Sequence, residues 1–177
     1  MTLQTVLLHE TIEGRAVDAR DPRDASDDKL LYSRGGRFCL TDQFIKNTYE
    51  ILSPLGRVTA TMEMTDHQFL NDERTVEWTR FGQDVEIVVN FGRQEFDWRG
   101  TLMPKDGFVI SSPSLVAFCA RRHADVEYSE PTMFVIWARD GLDIEKSKDV
   151  QIYHGFGDST VRFRGELKQV KDVEIVQ

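Results

Sequence analysis

The chain has 177 residues, with 22 Lys and Arg against 30 Asp and Glu, for a formal charge of -8. That acidic balance argues against a phosphate backbone or an anionic bilayer as the main partner, so neither nucleic acid nor a membrane is expected. The length suffices for one domain, or a domain with an appendage, burying roughly two thirds of its unfolded surface without help from a disulfide or a metal.

Residues 1–40 read as an irregular N-terminal arm. Val6-Leu7-Leu8 is a short apolar run beside His9, Glu10 and Glu13, with no basic start, so it is neither a signal peptide nor a membrane span and a cytoplasmic product is expected. Gly14 to Lys29 carries Asp18, Asp21, Asp24, Asp27 and Asp28 with Arg20 and Arg23, which suits a solvated loop. Its aspartates lack the alternating spacing and closing Glu of a calcium loop, and Gly35-Gly36 lacks the G-K-[ST] of a phosphate loop. Cys39 and Cys119 are the two cysteines; far apart in the chain, they read as separate thiols.

Residues 41–60 read as the one helical segment. Phe44, Ile45, Thr48, Tyr49 and Leu52 fall at i, i+1, i+4, i+5 and i+8, one stripe of a helix, with Thr41 as N-cap. Ser53-Pro54 should stop or kink it.

Residues 61–177 read as β structure. Val76–Phe81 and Val85–Gly92 flank Gly82-Gln83-Asp84, a polar connection whose glycine can take positive φ, so the pair reads as a hairpin. Val85, Ile87, Val89 and Phe91 should be its buried face, with Glu86, Val88 and Asn90 on the other. Glu95–Trp98, Thr101–Met103, Phe108–Ile110, Leu115–Ala120, Met133–Ala138, Val150–Tyr153, Val161–Phe163 and Val173–Val176 follow, separated by turn residues such as Gly100, Pro104-Lys105-Asp106-Gly107 and Asp140-Gly141. Short strands at this rate predict a mainly β fold, an antiparallel β-sandwich with one N-terminal helix. A composition shift at residues 121–131 marks a break between two small β units.

Few residues suggest chemistry. Asp66-His67 sets an imidazole beside a carboxylate, which is what acid/base catalysis uses, although sequence neighbours point in different directions on a strand. His9, His67, His123 and His154 form no metal-ligand spacing, so neither a metal nor a cofactor is expected. Of the three tryptophans, Trp78 and Trp137 read as core, while Trp98, flanked by Asp97, Arg99 and Gly100, is the surface candidate for stacking on a ligand ring. Acids such as Glu77, Glu86 and Glu145 alternate with apolar residues, as on solvated strand faces.

An ordered set of segments carries a resemblance. Y-E-I-L-S-P-L-G-R (Tyr49–Arg57), M-T-D-H-Q-F-L (Met64–Leu70), V-E-W-T-R-F-G (Val76–Gly82), V-E-I-V-V-N-F-G (Val85–Gly92) and L-M-P-K-D-G-F-V-I (Leu102–Ile110) resemble the C-terminal β-sandwich region of glycoside-hydrolase-like proteins, where a last barrel helix leads into a sheet bearing V-V-N-F/Y-G and P-x-x-G-F/Y. The resemblance covers about a third of the chain. It implies a non-catalytic module that packs against a catalytic domain or binds carbohydrate weakly, since the catalytic acids of such enzymes belong to a barrel for which this chain has neither the length nor the βα alternation. Two rival expectations are a small enzyme or ligand-binding protein using a β-lined cavity with Asp66 and His67, and a homo-oligomer that buries strand edges.

Overall fold

In a computed structural model of the chain, the described residues run from Leu40 to Val176. The expected N-terminal arm, with His9, Cys39 and the aspartate-rich stretch, lies outside them. The chain divides into two compact units, Met1–Leu52 and Ser53–Gln177, at a boundary inside the helix.

That helix, α1 (Leu40–Thr59), starts one residue before Thr41 and runs through Pro54 without ending there. The ring removes one backbone donor, yet the turn beyond it closes, with Ala60 N–H donating to the Gly56 carbonyl at 2.9 Å and the Thr59 hydroxyl to Leu55 O at 2.8 Å. Its buried stripe is also rotated from the expected one. Ile51 and Pro54 are buried, whereas Ile45 and Tyr49 are exposed and Phe44, Thr48 and Leu52 are half-buried.

The remainder is antiparallel β structure, sandwich-like as the turn spacing predicts. The strands are β1 (Met64–Phe69), β2 (Val76–Phe81), β3 (Val85–Asn90), β4 (Phe96–Trp98), β5 (Thr101–Met103), β6 (Phe108–Ser111), β7 (Leu115–His123), β8 (Val126–Ala138), β9 (Val150–Phe156), β10 (Thr160–Phe163), β11 (Glu166–Gln169) and β12 (Val173–Val176). The main sheet runs β1-β2-β3-β6-β7-β8-β9-β12. The β4–β5 hairpin joins it through Leu102 opposite Arg122, and β10–β11 forms a separate pair.

One face of the main sheet carries Trp78, Val88, Val109, Phe118 and Phe134 in a single cross-strand row. They pack with Met103 of β5, Val161 and Phe163 of β10, Ile144 and Val170 into one hydrophobic cluster, so the two hairpins supply the second layer. The opposite face is buried too. Val85, Ile110, Ala117, Val135 and Tyr153 lie there, and the Arg57 guanidinium sits over the Trp137 ring at 5.5 Å. This corrects the reading of β3: Val88 and Asn90, assigned to a less buried face, are both buried, while Ile87 and Val89 are only partly so. A strand covered on both sides has no wet face for alternation to mark.

Residues 121–131 form the turn end of the β7–β8 hairpin. Ala124 and Asp125 take φ of 48° and 60°, the two left-handed residues of a type I′ turn. Strand β8 begins well before the expected Met133, and it contains Pro131. Proline is tolerated there because the register shifts between Arg122/Glu127 and Ala120/Thr132, leaving Pro131 in a stretch that owes no ladder hydrogen bond.

Candidate functional site

The site is built around the short β4–β5 hairpin. Arg99 and Gly100 form its two-residue turn with φ of 49° and 86°, the type I′ pattern that matches the strand twist. Gly100 accepts that backbone freely, and Asp97 fixes it by accepting the Gly100 N–H at 2.9 Å. Asp97 also pairs with Arg122, whose Nε donates to Gly100 O at 3.2 Å. The turn is thereby tied to β7 from its outer side.

Where the hairpin leaves the sheet, it is anchored by one buried amide. Asn90, 1 % exposed, donates to Gln94 O at 2.8 Å and Pro104 O at 3.0 Å, and accepts the Gly92 N–H at 2.9 Å. Its own N–H donates to Gly107 O at 2.8 Å. Gly107 has to be a glycine, since a Cβ there would stand 2.7 Å from Pro104 Cδ and 2.8 Å from Cys119 O. The V-V-N-F-G and P-K-D-G-F segments noted in the sequence are therefore two sides of one contact.

Between the hairpin and the sheet lies a cavity of about 270 Å³, lined by Glu86, Val88, Trp98, Arg99, Thr101, Val109, Ser111, Val116 and His123. Glu86 is its only carboxylate among the described residues, and both oxygens are engaged, by Arg99 at 2.7 Å and Arg80 at 3.4 Å. Each guanidinium also covers an indole: Arg99 stands 4.6 Å from the Trp98 centroid and Arg80 4.8 Å from that of Trp78. His123 bonds the Thr101 hydroxyl through Nδ1 at 2.9 Å and stacks on Phe118 at 4.1 Å. Burial pushes its pKa down to about 4, so it is a neutral imidazole at physiological pH.

The predicted site residues therefore separate. Trp98 and Arg99 line the cavity together, while the Asp97 carboxylate holds the turn from outside it. Asp66 and His67 lie on β1, the edge strand. Their side chains do not form a dyad: Asp66 accepts the His67 backbone N–H at 2.8 Å, and the imidazole meets the Thr79 hydroxyl at 3.0 Å across the β1–β2 ladder. Asp66 does share a cross-strand row with Arg80, Glu86 and Ser111, two strands from Glu86 and so about 10 Å away with Arg80 between. Trp78 is buried, as a core tryptophan should be, and Trp137 is half-buried. Glu86, Ser111, Thr101 and His123 escaped the sequence reading, because their convergence depends on a hairpin folding back over strands that lie up to 37 positions apart in sequence, from Glu86 to His123.

Among the described residues, Cys119 is a free, buried thiol that desolvation pushes up to about 12, so it is unreactive at neutral pH. No group of three or more His, Cys, Asp or Glu among them could hold a metal ion, and none of their helices is long and apolar enough to cross a membrane. No family model matches the chain, and neither a curated protein nor a solved structure matches it.

Proposed function

We propose that the chain is a non-catalytic β-sandwich module of the kind found in the C-terminal region of carbohydrate-active enzymes, and that it contacts a glycan weakly through the cavity beside Trp98. The observation that carries this reading is the cavity's composition: an indole beside hydroxyls of Thr101 and Ser111, a neutral imidazole and a paired carboxylate. Flat aromatic surface with a few placed polar groups suits the alternating apolar and hydroxylated surfaces of a sugar ring. The volume, just below the ~300–1,000 Å³ of drug-sized sites, is enough for one sugar ring.

The same composition speaks for binding without cleavage. Glycosidic hydrolysis needs two carboxyl groups about 5 Å or about 6.5–9.5 Å apart, one of them able to hold or release a proton. Among the described residues the lining offers one carboxyl group, that of Glu86, ion-paired with Arg99 and Arg80. Titration of the ¹⁵N-labelled chain with neutral methyl glycosides should shift the Trp98 indole resonance with Kd on the order of 1 mM, and Trp98→Ala should remove the response of the other cavity residues. Sugars that leave every cavity resonance in place would defeat the binding reading. Hydrolysis of a glycoside by the purified chain, lost on replacing one acid, would defeat the non-catalytic one.

A further inference from the structure

We propose that the sugar accepted by this cavity is an acidic one, a hexuronic acid whose carboxylate docks on the Arg99 guanidinium; the inference rests on the glycan reading above and names its ligand class. Charge alternates along one line of the sheet face, from Asp66 on β1 to Arg80 on β2 and Glu86 on β3, and then to Arg99, which the hairpin lowers onto Glu86. Asp66 lies across the ladder from Arg80, and Glu86 is ion-paired with both Arg80 and Arg99. Arg99 is the open end of the series.

Its surroundings show the same vacancy in detail. Arg99 spends Nη1 on Glu86, and neither its Nη2 nor its Nε has an acceptor among the described residues. Its side chain is 65 % exposed, against 38 % for Arg80 and 19 % for Glu86. The neighbouring cations are already supplied: Arg122 by Asp97, Glu127 and Gly100 O, and Arg121 by Glu95 and Ser129 O. Glu86 already meets a guanidinium at each oxygen. A guanidinium presents its donors as a planar fork that matches a carboxylate two bonds at a time, a match a neutral hydroxyl cannot make. His123 adds no competing charge, and the rest of the lining is apolar or hydroxyl-bearing. A pyranose beside Trp98 with its carboxylate on Arg99 continues the alternating series by one member.

The test compares three probes on the full chain by the Trp98 indole shift: methyl glucuronide, methyl glucoside and acetate. The glucuronide should bind about tenfold more tightly than the glucoside at low salt, with the preference shrinking as salt is raised. In Arg99→Ala the ratio should fall to about one, and Arg99→Lys should restore only part of it, because a point charge lacks the fork. Equal binding of glucuronide and glucoside by the unaltered chain overturns the acidic-sugar assignment and leaves the glycan reading in place. Acetate binding as tightly as the glucuronide overturns it as well, by showing a bare anion site. If neither glycoside moves Trp98, both readings fall together.

Discussion

Two hairpin turns of this chain share one local chemistry, an aromatic followed by arginine and glycine: Trp98-Arg99-Gly100 and Phe163-Arg164-Gly165. In both, arginine and glycine take positive φ, and the guanidinium lies over the preceding ring, at 4.6 and 4.7 Å. Beyond that they diverge. Arg164 reaches the carbonyls of Ile144 at 3.0 Å and Ser147 at 2.6 Å, and Phe163 is 4 % exposed in the core. Arg99 meets the Glu86 carboxylate alone and stays largely in solvent. The same three residue types make a staple in one place and leave an exposed guanidinium with a single ion pair in the other. What separates them is the acceptor brought in from elsewhere, and local sequence carries no record of it.

The comparison can be broken most directly at the rings. Phe163→Ala should cost about 3–5 kcal/mol in urea unfolding, since the side chain is in the core cluster and the vacated space has rigid walls. Trp98→Ala, at a half-buried ring beside a pre-existing cavity, should cost clearly less. Equal losses would mean that the open turn is as structural as the closed one.

Acid should loosen the open turn's attachment. His123, which bonds Thr101 next to that turn, titrates at about 4 in the folded chain and near 6.5 when unfolded. Between those values the unfolded state holds more protons. Stability is therefore at its full value above pH 6.5 and falls as pH drops toward 4, by up to about 3 kcal/mol from this one group. Urea midpoints at pH 7 and pH 4.5 measure it, and His123→Gln should flatten that part of the slope. An unchanged slope in the variant would place the titration elsewhere.

The smallest effects sharpen the contrast between the arginines. Arg164→Ala strands two carbonyls that it now satisfies and should cost about 2 kcal/mol. Arg99→Ala removes an ion pair whose arginine is largely in solvent and leaves Glu86 its Arg80 partner, so it should change stability by less than about 1 kcal/mol. A reversal of that order in chemical denaturation would remove the basis for treating Arg99 as available to a ligand.

The same distinction explains what the sequence disclosed. The turn of the β2–β3 hairpin was legible, because Gly82-Gln83-Asp84 is turn chemistry between two β-rich runs, and Phe81 does face Val85 across it, although the second strand ends at Asn90 and not at Gly92. The later strands were legible for the same reason. Strand β11 was not, since Glu166, Leu167, Lys168 and Gln169 are mostly exposed and show no apolar run. Pro54 failed as a stop signal because a helix can close its next turn around one missing donor. Trp98 and Arg99 stood out through composition alone, beside Gly100 and charged neighbours. Glu86 looked like any acid on a strand's wet face, and only the hairpin folding over it turns that position into part of a cavity.

Asn90 ties the departing strand and the returning one with a single side chain, bonding Gln94 O on the way out and Pro104 O on the way back. The thirteen residues from Phe91 to Met103 are thus bracketed by one clasp belonging to the sheet, with Leu102 opposite Arg122 as a second tether. Such an arrangement makes the hairpin tip an exchangeable cassette. Its Trp-Arg pair can be rewritten, by natural variation or by design, while the sheet beneath keeps its register.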